Sequence, residues 1–108
     1  MSGKAKIKVG IVGMGAIGTH HADAFKSLPD ADLAAICDIS EERLKAQGER
    51  LGVPESGRFT DYRKLLASGV DAVVVGVGNI LHREVAVAAF RAGKHVLVEK
   101  PMAMNARE

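Results

Sequence analysis

Apolar residues recur along this chain in two alternating rhythms. The runs Ile7-Lys8-Val9-Gly10-Ile11-Val12, Leu33-Ala34-Ala35-Ile36-Cys37 and His95-Val96-Leu97-Val98 read as strands. The continuous run Ala72-Val73-Val74-Val75-Gly76-Val77 is what a parallel strand buried on both faces requires. Between the strands the spacing turns helical. From Ala16 to Leu28 the apolar positions Ile17, Ala24, Phe25 and Leu28 share one stripe, which Pro29 closes. Ser40-Glu41-Glu42 opens a helix that Gly52 and Pro54 stop after Leu51. Arg58-Phe59-Thr60 is a minimal third strand. A short helix from Asp61 to Ser68 ends at Gly69, and another from Leu81 to Ala92 ends at Gly93, with Val85, Ala88 and Ala89 spaced to face a sheet.

Strands alternating with helices call for a parallel sheet with right-handed crossovers. The expectation is an α/β fold with a doubly wound sheet in the order 3-2-1-4-5. Met104-Asn105-Ala106-Arg107-Glu108 has the pattern of the first turn of another helix, with Asn105 as its cap. Residues 1–108 therefore read as one α/β domain that stops before its final strand.

Composition narrows the function classes. Fifteen Lys and Arg against 13 Asp and Glu leave a net charge of +2, too small to argue for nucleic acid or an anionic membrane as partner. Cys37 is the only cysteine, so no internal disulfide forms, and no grouping of His, Cys and carboxylates has metal-ligand spacing. No apolar run approaches the roughly 18 residues of a membrane span, and the N-terminus has no signal-peptide core. A cytoplasmic location is expected.

The chemistry concentrates at two places. Gly13-Met14-Gly15-Ala16-Ile17-Gly18 follows the first strand and opens the first helix, and Asp38 stands 20 residues beyond Gly18 at the end of the second strand. In that setting Gly13 permits a tight turn, Gly15 lets the backbone approach a pyrophosphate, and Gly18 lets the helix pack on the sheet. The first N–H groups of the helix, at Ala16 and Ile17, face the phosphates. A carboxylate at Asp38 accepts from ribose hydroxyls and repels a 2′-phosphate, which favours NAD over NADP. Arg43 is the nearest cation in sequence after it. The second place is Glu99-Lys100-Pro101, directly after the fifth strand, where the carboxyl ends of the strands converge. By spacing alone it reads either as a solvated pair or as groups that bind ribose and handle a proton. His21, on the inner stripe of the first helix, reads as a buried structural histidine, and His82 as a residue opening a helix near the ligand edge.

Gly13 to Gly18, His21, Asp38, the segment Val77-Gly78-Asn79-Ile80-Leu81-His82-Arg83-Glu84, Gly93-Lys94-His95-Val96 and Glu99-Lys100-Pro101 together resemble the glucose–fructose oxidoreductase / inositol dehydrogenase / rhizopine-catabolism (Gfo/Idh/MocA) family. The resemblance runs from about Ile7 to the end. It implies that Lys100 lies at the nicotinamide end and assists catalysis, that the Lys100–Pro101 peptide is often cis, and that Glu99 and Asn79 contact cofactor; His82, from its place at the ligand edge, is a further candidate contact to cofactor or substrate. Val77 and Gly78 depart from the family's usual Thr-Pro-Asn at this turn, which loosens the expected contacts there. The implied parent is an NAD(P)-dependent oxidoreductase acting on a secondary alcohol of sugar or cyclitol type, with a second domain supplying further catalytic residues and the substrate site. A homo-oligomer is expected. The alternative is a non-catalytic regulator that uses the same fold to sense NAD(P).

Overall fold

The chain is described from a computed structural model, which covers residues 6–76 and 79–98. Five strands, β1 (Ile7–Val12), β2 (Ala31–Cys37), β3 (Arg58–Phe59), β4 (Ala72–Val75) and β5 (His95–Val98), form one sheet in the order β3-β2-β1-β4-β5. Every pairing is parallel. Helices α1 (Ala16–Lys26), α2 (Glu41–Leu51), α3 (Tyr62–Leu66) and α4 (Asn79–Arg91) make the crossovers. The expected strand order is the observed one. Residues Asn105 and onward, taken above as a helix start, lie outside the described residues.

Alternation along the strands, interrupted in β2 by a register shift between Leu33 and Ala35, sorts the side chains into two cores. Val9, Ile11, Leu33, Ile36 and Val74 point to one face and pack with Ala22 of α1 and with Leu44 and Leu51 of α2. Ala35, Cys37, Val73 and Val75 point to the other and pack with Leu65 and Leu66 of α3 and with Val85 and Ala89 of α4. All four residues of β4 are buried, as its unbroken apolar run demands. Each fully buried valine or isoleucine contributes about 1.5–3 kcal/mol relative to an exposed one.

Local chemistry sets the helix ends. The Ser40 hydroxyl accepts from the Arg43 N–H at the start of α2, and Gly52 terminates that helix in the left-handed region. Asp61 caps α3 by accepting from the Arg63 N–H. The structure also differs from the pattern reading in places. A 3-10 turn, Glu55–Gly57, precedes β3. Helix α4 begins at Asn79 rather than Leu81, and α1 ends at Lys26, leaving Leu28 half-exposed beyond it. The inward stripe of α1 is Gly18, Ala22 and Phe25, with Ala24 exposed.

Candidate functional site: the glycine-rich turn and the end of β2

β1 delivers the chain into a turn at Gly13, whose φ of 96° lies in the left-handed region that a side chain disfavours. The turn is pinned to the end of β2 twice. The Gly13 N–H donates to the Cys37 carbonyl at 2.7 Å, and the Met14 N–H donates to Asp38 Oδ2 at 2.8 Å. Helix α1 then starts from Gly15, which makes no side-chain cap. The first helical bond runs from the Thr19 N–H to the Gly15 carbonyl at 2.8 Å. The N–H groups of Ala16, Ile17 and Gly18 precede it and have no place in the helical ladder. They give the uncapped end a positive partial charge.

The glycines of this turn divide into two kinds. A Cβ on Gly18 would overlap the Gly13 carbonyl oxygen, and one on Gly76 would sit 3.3 Å from the Gly18 backbone. These two glycines let α1 lie against the end of β1 and the exit of β4. A Cβ on Gly15 would meet nothing within 4 Å, so the space before it is open. An open space in front of bare backbone N–H groups is what a pyrophosphate site requires.

Asp38 is 7% exposed, yet its carboxylate is well satisfied. Oδ1 accepts from the Ser40 N–H at 2.9 Å, and Oδ2 accepts from Met14 N–H and from Arg43 Nη1 at 3.1 Å. Burial pushes this carboxyl up, but the Ser40 and Met14 N–H groups and the Arg43 guanidinium outweigh it and hold the group below the ordinary aspartate value. A depressed native value means the charged form stabilises the fold above the ordinary value of 3.8, and this contribution is lost as pH falls through the lowered one. Asp38→Asn is therefore expected to cost about 1–3 kcal/mol at neutral pH, because an amide cannot accept from all three donors. The gap between variant and parent in urea midpoint should close as pH falls through the lowered carboxyl value. A gap constant with pH would mean that the charge plays no part.

Asp38 also faces solvent across a cleft of about 340 Å³, lined by Val12, Gly13, Gly15, Cys37, Asp38, Ile39, Arg43, Thr60, Tyr62 and Gly76. That is within the size of small-molecule sites, about 300–1,000 Å³. Ile39 is 85% exposed at its mouth and offers an apolar surface to a flat ring. The Cys37 thiol is pushed up to about 12, by burial first and then by the charges of Asp38 and Asp61, so it holds its proton and is no nucleophile.

The structure thus brings Gly13, Gly15 and Asp38 to one cleft at the carboxyl ends of the strands, with the backbone of Ala16 and Ile17 beside it and Gly18 packed against the Gly13 backbone. Asn79 stands at the start of α4, and His82 lies half-buried in its first turn. Val77, Gly78, Glu99, Lys100 and Pro101 lie outside the described residues. His21 is half-buried rather than buried, with its ring edge-on to His20 at 5.8 Å. The sequence reading passed over Gly76, Thr60, Tyr62 and the contact from Arg43 to Asp38. For Arg43 a signal existed: it stands three residues after the Ser40 cap, and that first turn of α2 adjoins the end of β2.

Residues 7–108 match a family model described as an oxidoreductase family with an NAD-binding Rossmann fold. The chain is 40% identical over 100 residues to a myo-inositol 2-dehydrogenase of Thermotoga maritima, covering 92% of this chain and 29% of that protein. It is similar in structure to a scyllo-inositol dehydrogenase from Lactobacillus casei with bound NAD(H) and scyllo-inositol. There the TM-score is 0.81 at 32% identity, over 93% of this chain and 29% of the other. A 3-ketoreductase from Actinomadura kijaniata, in complex with TDP-benzene and NADP, gives a TM-score of 0.80 at 35% identity, over 90% and 31%. The chain spans under a third of the length of each. Family model, fold and glycine-rich turn agree, and the chain belongs to the Gfo/Idh/MocA oxidoreductase family as its N-terminal NAD(P)-binding Rossmann domain.

Proposed function

We propose that this domain binds NAD in preference to NADP for a parent enzyme that oxidises a secondary alcohol of sugar or cyclitol type. The observation that carries the cofactor reading is the pairing of an open space at Gly15, beside the uncapped end of α1, with a buried carboxylate at Asp38 across the same cleft. Gly13, Gly15 and the N–H groups of Ala16, Ile17 and Gly18 hold the pyrophosphate. Asp38 accepts from the adenosine ribose, and its charge opposes a 2′-phosphate. By the family resemblance, the turn of Val77, Gly78 and Asn79, with His82 after it, serves the nicotinamide half. Glu99, Lys100 and Pro101 follow β5 on the same side of the sheet, a placement that rests on the family resemblance.

A nicotinamide cofactor held by the glycine-rich turn and Asp38 would supply the acceptor for a hydride from the substrate carbon. This chain's part in the reaction is at the proton: Lys100 assists its removal from the substrate hydroxyl or polarises the group that removes it. Substrate binding and the remaining catalytic groups belong to a second domain. The inositol dehydrogenases and the ketoreductase to which the chain is similar support a catalytic parent, and the sensor alternative draws no support from them.

Calorimetric titration with NADH and NADPH tests the cofactor reading. Asp38→Ala is expected to weaken NADH binding by about 1.5–3 kcal/mol, the range for hydrogen bonds to a charged group, and to narrow the preference against NADPH. Equal affinities for the two cofactors in the parent chain would remove Asp38 from this role.

A further inference from the structure

Helix α4 carries a stripe whose charges are complementary to themselves under a twofold rotation. Glu84, Val87, Ala88 and Arg91 follow the i, i+3, i+4, i+7 spacing that places residues on one helix face. The sheet is met by other residues of the helix, Val85 and Ala89, which are fully buried. The stripe forms one wall of an open groove of about 530 Å³ beside α3, lined by Tyr62, Arg83, Glu84, Val87, Ala88 and Arg91. Val87 is 44% exposed there.

Glu84 is held in place for a further donor. Its Oε2 accepts from the Tyr62 hydroxyl at 2.6 Å, and a carboxylate accepts about four bonds in all. Arg91 stands about 10 Å further along the axis, beyond the i, i+4 reach of a helical ion pair. It makes no ion pair among the described residues.

Glu84 and Arg91 lie equally far on either side of the central pair Val87 and Ala88. Two α4 helices laid antiparallel across a twofold axis at that centre bring Glu84 of each copy opposite Arg91 of the other. The apolar Val87 and the small Ala88 meet in the middle and allow close approach. A parallel pair would set Glu84 against Glu84 and Arg91 against Arg91, so charge selects the antiparallel one. A contact in which the same patch serves both copies closes into a dimer.

We propose that the α4 stripe is an interface for a second copy of this chain, paired antiparallel through two reciprocal Glu84–Arg91 contacts. The patch is small, so association is expected between about 10 μM and 1 mM.

Sedimentation equilibrium across concentrations reads the association, with circular dichroism to verify the folding of each variant. Glu84→Arg leaves only cations at the two ends of the stripe, and Arg91→Glu leaves only carboxylates. Each alone is expected to associate at least tenfold more weakly. An equimolar mixture of the two should regain the wild-type affinity within threefold, because every contact then joins a cation to a carboxylate. Glu84→Arg also removes the bond from Tyr62, and recovery in the mixture separates that loss from the charge effect. Glu84→Lys with Arg91→Asp serves if either variant does not fold. A chain that stays monomeric to about 1 mM overturns the proposal. Association that neither variant weakens overturns it too and moves the contact to another surface. A mixture that does not recover overturns the antiparallel pairing and makes the occupant of the groove something other than a second α4.

Discussion

Gly18→Ala is expected to lower the melting temperature of this domain by about 12–24 °C. Helix propensity alone points the other way, because alanine is favoured over glycine inside a helix by about 1 kcal/mol. Sterics decides. The new Cβ would overlap the carbonyl oxygen of Gly13, which is backbone and cannot rotate aside. Nor can Gly13 retreat, since its N–H is tied to the Cys37 carbonyl at 2.7 Å and its φ is 96°. Relief requires α1 to lift off the sheet and loosen the packing of Ala22 against Val9, Ile11 and Val74. Overpacking a tight site costs about 3 kcal/mol at the upper end of the usual range. A domain of about 100 residues loses about 4–8 °C per kcal/mol. Thermal unfolding by circular dichroism reads the result. A melting temperature at or above the parent's would show that α1 adjusts freely and that the close approach is not a constraint.

Gly15→Val, three residues earlier in the same motif, should have the opposite profile. Its φ of −76° and ψ of −160° form an extended conformation that valine adopts without strain, and an added Cβ touches nothing within 4 Å. The fold should be nearly unaffected, with a circular dichroism spectrum superimposable on the parent's. The side chain would instead occupy the space before the α1 N-terminus, where the proposed pyrophosphate meets bare backbone. NADH binding is expected to fall at least about a hundredfold, or about 2.8 kcal/mol. Fluorescence titration of NADH into the folded variant measures it. Binding within threefold of the parent would place the pyrophosphate elsewhere and reduce the motif to a structural turn.

The contrast between these two glycines marks the boundary between what was legible in the chain and what was not. Their identity and spacing were plain in one dimension, as was Asp38 at the following strand end. Which glycine guards packing and which guards a ligand follows from what stands beside each, and that is a tertiary fact. The inward face of α1 teaches the same lesson. Ile17, Ala24, Phe25 and Leu28 form a regular stripe, yet the helix turns Gly18 and Ala22 inward and leaves Ala24 exposed. At Gly18 the helix backbone comes so close to Gly13 and Gly76 that only glycines fit between them.

By itself, the sequence determined the alternation of strands and helices, the buried character of β4, the helix start at Ser40, the parallel order of the sheet and the position of the glycine-rich turn. All of these depend on residues near one another in the chain or on the period of their side chains, which a linear pattern carries in full. Only the tertiary structure decided that Asp38 binds the turn at Met14 as well as facing the cleft, that Arg43 is its third partner, and that Gly76 seats the first helix. Those contacts join β1, β2, β4 and α2 across the sheet top. Their geometry is fixed by how far apart packed elements come to rest, a distance of a few ångströms that no residue spacing encodes.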